Sequence, residues 1–341
     1  MNVSRQLPRR MLPLALVGSL ALAGCVTTPG ASNDGAEGGS IIVSGSSTVE
    51  PITSLVAEDF AASTDGFDYQ VDGPGTGDGF ALFCDGATDI SDASRPIKDE
   101  EAAACEENGI NYVELKVAVD GISVVTSTAN DAVSCLSFLD LYALLGPESQ
   151  GFDNWSDAND LADELSSELG EDFGAAHAPY PDTTLEVTAP GEESGTYDSF
   201  LELVFDDIAE ARSTDSVARA DYTASADDNV IVEGISGSDT SLGWVGFAFF
   251  EENADVIKAL EVDGGDGCVS PTTETIASNE YPISRDLFIY VNTDKAAENQ
   301  AVADFVDYYL SDDGIAAVAE AGYVSLTPEL LEETRSAWEG R

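Results

Sequence analysis

The sequence predicts an α/β protein of two domains. Short apolar runs of strand length alternate with amphipathic stretches of helical period along the chain. About 300 residues follow an N-terminal leader, enough for two domains of ordinary size. Two turns of small hydroxyl residues, far apart in sequence, each run into a helical stretch.

The elements follow in order. Ile41-Ile42-Val43 reads as a short buried strand. Val49, Ile52, Leu55, Val56 and Phe60 then recur at helical spacing, with Ser47-x-x-Glu50 as a capping box and Pro51 near the helix start. Residues 112–119 and 122–125 read as strands, and 158–169 and 196–212 as helices. The Gly-aromatic stretch 243–250 is a strand or bend, and 287–291 is a strong strand. Helices over 301–310 and 314–321 follow, and no internal repeat occurs.

The N-terminus points to export. Arg5, Arg9 and Arg10 precede a short apolar run, 11–22, that is too short to span a bilayer comfortably. It closes on Leu22-Ala23-Gly24-Cys25, which resembles a bacterial lipobox and implies cleavage before Cys25 and lipidation of its thiol. We therefore expect a signal peptide over 1–24 and a lipidated, Gly/Ser-rich tether over 25–40. The protein would then be anchored by lipid to the cell membrane on its extracytoplasmic side, and would be a monomer.

Four cysteines remain in the exported part, and four allow three pairings. The favoured pairs are Cys84–Cys105, a local staple, and Cys135–Cys268, which closes a long excursion. A zinc site is not expected, because no Cys-x-x-Cys spacing exists and His177 is the sole histidine. No cofactor or metal is expected.

The chain has 65 acidic and 13 basic residues, a formal net charge of −52. Loss of the three leader arginines leaves ten basic residues and a net of −55. That charge excludes nucleic acid as a partner. The acids are spread through periodic sequence, so the chain folds rather than staying disordered. An evenly acidic surface suits concentrated salt, and we expect a halophilic or salt-tolerant source. Asp263-Gly264-Gly265-Asp266-Gly267 is the nearest approach to a calcium loop and lacks EF-hand spacing.

Ser44-Gly45-Ser46-Ser47-Thr48 and Ser194-Gly195-Thr196 are the two hydroxyl turns. Each would present backbone N–H groups and hydroxyls at the positive end of a helix, where an anion is favoured. Gly75-Thr76-Gly77-Asp78-Gly79 is another small-residue turn, with no clear strand-to-helix frame around it.

These turns belong to an ordered set of blocks. The others are Asp89-Ile90-Ser91-Asp92-Ala93-Ser94-Arg95-Pro96-Ile97, Asp221-Tyr222-Thr223-Ala224-Ser225 and Gly243-Trp244-Val245-Gly246-Phe247. From residue 41 onward the set resembles the phosphate-binding lipoproteins of high-affinity phosphate ABC transporters. The resemblance implies a type II periplasmic-binding-protein-like fold, with two α/β lobes joined by two hinge strands. Lobe 1 would comprise 41–117 and 285–341, and lobe 2 would comprise 118–284. It also implies inorganic phosphate as ligand and a membrane permease as partner. Phosphate would sit on Ser46, Ser47, Thr48, Thr76, Gly77, Ser94, Ser194, Gly195 and Thr196.

The sequence departs from that pattern at the charged positions. The better-known branch has a clamping arginine four residues before the Ser-Gly-Thr serine, where this chain has Pro190. Its proton-accepting aspartate falls at or beside Arg95. Arg95 is thus the expected clamp, with Arg219 second, Asp92 as candidate acceptor and Arg285 as a hinge-strand residue. Sulfate or molybdate binding is the alternative within the class. An exported phosphatase or hydrolase is disfavoured, because no Gly-x-Ser-x-Gly elbow occurs and His177 is the one imidazole.

Overall fold

Buried Ile41 and Val43 alternate with exposed Ser40 and Ile42, which gives the first strand, β1 (Ser40–Gly45), one face in the core. This computed structural model describes residues 38–341, so the leader, Cys25 and most of the tether lie outside the described residues. β1 pairs in parallel with β2 (Asp68–Asp72) and β3 (Ile90–Ala93). Parallel neighbours need crossovers, and α1 (Glu50–Ser63) and α2 (Thr76–Cys84) supply them. α3 (Asp99–Asn108) then leads into the sixteen-residue β4 (Tyr112–Ser127), and α4 (Phe138–Leu145) and α5 (Asn159–Leu169) come after it in the chain.

β4 organises the molecule. Its first part pairs antiparallel with β12 (Ser284–Asn292), which also borders β3. Its last part pairs with β8 (Ser241–Gly246) and β9 (Ile257–Ala259). β6 (Glu186–Ala189) joins β8 and the edge strand β7 (Thr223–Ala224) in parallel. The order across the sheet is β2-β1-β3-β12-β4-β8-β6-β7. A small second sheet holds β5 (Cys135–Ser137), β10 (Glu261–Asp263) and β11 (Cys268–Val269).

Two large apolar clusters lie along β4. Val43, Ile52, Val56, Leu115, Ile289 and Phe305 belong to the first, and Leu136, Tyr142, Trp155, Phe200 and Trp244 to the second. β4 passes from one to the other between Ala118 and Val119. On β12 the change falls between Ile283 just before the strand and Leu287 within it. Val324 and Leu326 also pack in the second cluster, and Val324 bridges Val119. The C-terminal stretch therefore does not stay wholly with the first core.

Both disulfides form as expected, Cys84–Cys105 between α2 and α3, and Cys135–Cys268 between β5 and β11. Residues 112–125 form one strand rather than two. The 243–250 stretch divides into the end of β8 and a helix, Phe247–Glu252. The capping box is not made: α1 begins at Glu50, its cap residue is Val49, and no side chain caps it. A strand-to-helix frame does surround the 75–79 turn, since β2 precedes it and α2 follows. Among the described residues, no helix is long and apolar enough to cross a membrane.

Candidate functional site

Three chain turns meet around one cavity of about 260 Å³. The first is the end of β1. Ser46 carbonyl accepts from Val49 and Glu50 N–H, and Ser46 Oγ accepts from Thr48 N at 3.2 Å. This compact turn leaves Ser47 exposed at the start of α1 with no capping duty.

The second is the start of α2. Gly75 sits at φ 114°, a left-handed conformation that a side chain would strain, and its N–H reaches Gly45 carbonyl at 2.8 Å. Gly79 packs directly on Gly45; a Cβ at Gly79 would lie 2.4 Å from Gly45 Cα. Two glycines thus let α2 lie against β1 and bring Thr76 and Gly77 to the cavity. Thr76 Oγ1 accepts from Ser94 N at 3.2 Å and shares a hydrogen with Ser94 Oγ at 3.1 Å.

The third is the start of α6 (Gly195–Phe200), which runs through a π-turn, Leu201–Phe205, into α7 (Asp206–Arg212). Ser194 caps it, accepting from Thr196 N at 3.2 Å. Gly195, Asp198, Ser199 and Glu202 line the cavity. Their spacing of three, four and seven residues puts them on one helical stripe. Thr196 lines an adjoining space of about 460 Å³ that shares Ser47, Thr48, Gly195 and Ser199.

Two cations line the cavity, Arg95 and Arg285. Arg95 is held bidentately by Glu101 at 2.7 and 2.8 Å and lies over the Phe80 ring. The hydrogen bond to Glu101 pushes the Arg95 pKa further up. Arg285 is nearly buried and reaches both sides of the cavity. It donates to Thr48 Oγ1 at 3.0 Å, to Ser199 Oγ, to Asp120 at 3.3 Å and to Glu202. Burial pushes the Asp120 carboxyl up even against the pull of Arg285, and burial with Glu202 beside it pushes up Asp198.

The expected residues fall into two groups. Ser46, Ser47, Thr48, Thr76, Gly77, Ser94, Arg95 and Gly195 line the cavity and Thr196 lines the adjoining space, whereas Ser194 lines neither and is occupied in capping α6. Asp92 and Arg219 do not line it. Asp92 is fully buried beneath α1, where its Oδ1 accepts from Thr53 at 3.0 Å. Arg219 is buried elsewhere, paired with Asp221 at 2.7 Å and bonded to Phe152 carbonyl. Arg285, Asp198, Ser199 and Glu202 were missed as site residues. The stripe of polar residues in the 196–212 helix was a readable sign of three of them.

No histidine, lysine or cysteine lines this cavity, and every group in it is a donor, a guanidinium or a carboxylate. Such a lining offers hydroxyl, backbone and guanidinium donors beside two carboxylates, with no imidazole or amine among the described residues that line it. With strands running from core to core beside it, the fold and site define a binding protein of the type II periplasmic-binding-protein class.

The chain belongs to the PBP superfamily, whose domain model matches residues 30–313, and within it to the family of SphX and phosphate-binding PstS proteins. It is 38% identical to Protein SphX of Synechocystis sp. over 326 residues, covering 95% of this chain and 87% of that one. It is 32% identical to the phosphate-binding protein PstS of Staphylococcus saprophyticus over 323 residues, covering 94% and 91%. Among solved structures, a possible phosphate binding protein from Planctomyces limnophilus superposes with a TM-score of 0.76 at 34% identity, covering 89% of this chain and 98% of that one. PstS from Borrelia burgdorferi shares the fold at a TM-score of 0.61 and 22% identity, covering 84% and 99%.

Proposed function

We propose that the chain captures inorganic phosphate in this cavity and delivers it to the membrane permease of a phosphate ABC transporter, without catalysing a reaction. The observation that carries the reading is Arg285, a nearly buried guanidinium that touches Thr48 on one wall and Ser199 on the other. Around it stand hydroxyls and the start of α2, the donor set a tetrahedral anion needs. The names of the relatives agree.

The ligand residues we assign are Ser46, Ser47, Thr48, Thr76, Gly77, Ser94, Arg95, Ser194, Gly195 and Thr196, with Ser199 and Arg285 added. Arg285 is the principal clamp, because it reaches both walls of the cavity, through Thr48 and Ser199; both guanidiniums carry carboxylate partners, Glu101 on Arg95 and Asp120 with Glu202 on Arg285. Asp198 and Glu202 replace Asp92 as acceptors for the proton of hydrogen phosphate. A fully ionised sulfate has no proton to offer them and meets their negative charge instead.

The lobes follow the two cores: 41–117 with most of 285–341, and 118–284, with Val324 and Leu326 packed on the second. The remaining assignments rest on the sequence. They are lipid on Cys25, an extracytoplasmic position at the cell membrane, a monomer, and a halophilic or salt-tolerant source. Intact mass of the membrane-extracted protein tests the lipid.

Isothermal titration of the delipidated protein with phosphate, sulfate and molybdate tests the ligand. One-to-one binding of phosphate, with sulfate and molybdate weaker, is expected. Absence of phosphate binding, or turnover of phosphomonoesters by the same preparation, would overturn the reading.

A further inference from the structure

A second polar cluster lies on the small sheet, away from the residues assigned to phosphate. His177 Nδ1 meets the fully buried Asp140 carboxylate at 2.6 Å, and His177 N–H donates to the other oxygen at 2.9 Å. Tyr180 hydroxyl donates to that second oxygen as well. The ring is therefore fixed, with Nε2 turned toward the Cys135–Cys268 pair, 3.7 Å from Cys268 Sγ. The ligating atoms of Cys135, His177 and Cys268 all lie within 4.8 Å of one another.

Two features of this arrangement suit a tetrahedral metal site once the disulfide is reduced and its sulfurs part. Zinc bonds of ~2.0–2.1 Å to nitrogen and ~2.3 Å to sulfur separate the two ligand atoms by about 3.6 Å. A carboxylate on the far ring nitrogen is the usual support for a metal-bound histidine, since it fixes tautomer and orientation. Cys135 is buried whereas His177 and Cys268 are exposed, so a fourth position faces solvent.

We propose that Cys135, His177 and Cys268 form a redox-gated site for a zinc-like divalent cation, with water as fourth ligand and Asp140 as the positioning carboxylate. While the disulfide is intact the sulfurs are bonded to each other and offer no thiolate. A dithiol reductant gives the S–S bond two electrons and two protons and itself becomes a cyclic disulfide. The cation then binds two thiolates and the imidazole, and the two thiol protons are released. Cys84–Cys105 cannot form the same site, because the chain has one histidine.

The test uses the mature chain in molar salt. It is reduced with a dithiol, freed of it by gel filtration without oxygen, and titrated with cobalt(II) and then zinc(II). A thiolate-to-cobalt charge-transfer band is expected to saturate at one equivalent and to vanish on adding zinc. It should be absent from the oxidised chain and from Cys135→Ser/Cys268→Ser, which keeps the other two thiols. His177→Ala should weaken cobalt at least ~10-fold. A reduced parent without the band, a band of equal affinity in His177→Ala, or a band in the double serine variant would each overturn the site. If the reduced chain loses its circular dichroism, one equivalent of zinc should restore it, and failure to do so counts against the proposal equally.

Discussion

Arg285 shows how a single side chain changes the meaning of a site. As a strand residue in sequence it reads as a hinge contact. In the fold it is the cation that touches Thr48, Ser199, Asp120 and Glu202 together. Nothing local in Ser284-Arg285-Asp286 announces this, because the contacts span 237 residues to Thr48 and 86 to Ser199. Arg285→Ala should weaken phosphate by ~2–5 kcal/mol, well over tenfold, by titration calorimetry. Arg95→Ala should cost less, since the Arg95 fork is turned onto Glu101 and, unlike Arg285, makes no bond to the far wall of the cavity. Asp92 gives a second prediction at this scale. Burial, opposed by the bond from Thr53, pushes its pKa from 3.8 to about 8. Between those values the unfolded chain has released a proton that the folded chain keeps, so this group lowers stability as pH rises. The contribution is fully present below 3.8 and lost by about 8. Asp92→Asn should therefore gain on the parent in urea midpoint from pH 4 to pH 8, and a constant difference would disprove it.

Helix starts carried most of what could be read in advance. The Ser-Gly-Thr turn opens α6 as expected, and the period of 196–212 survives with a π-turn inside it. The Ser47-x-x-Glu50 pattern failed because Ser46 carbonyl takes the first N–H groups and Val49 becomes the cap residue. α2 was hidden because two of its first four residues, Gly77 and Gly79, are poor helix formers; Gly79 serves close packing on β1, and Gly77 lines the cavity. On the proposed reading, selectivity would belong to the stripe of Asp198 and Glu202 that runs from α6 into the π-turn. A carboxylate facing the anion favours a ligand that brings its own proton. Glu202→Gln should therefore improve sulfate binding relative to phosphate by roughly tenfold, a difference of ~1.4 kcal/mol. An unchanged ratio in competition titrations would assign the acceptor role to Asp198 alone.

For the whole molecule the dominant quantity is a formal net charge of −52, from 65 acidic and 13 basic residues. The cations are mostly committed locally; Arg212 alone serves Glu148, Glu164 and Glu168. The uncompensated repulsion is screened over ~3 Å in molar salt but reaches ~10 Å at 0.1 M. Melting temperature should accordingly rise with monovalent salt, and a flat or falling curve would contradict the charge argument. The architecture was legible from alternation and length, but the course of β4 and β12 was not, because pairing partners lie far apart in sequence. That course has a consequence for synthesis. The core begun by β1 and α1 also needs β12 and residues up to Trp338. The polypeptide therefore emerges with its opening third unable to finish folding until nearly its last residue is made. Cys84 and Cys105 stand 21 residues apart and can meet early, whereas Cys135 must wait for Cys268, 133 residues later. Oxidation during biogenesis should therefore be ordered, with truncated nascent chains carrying the first bond alone.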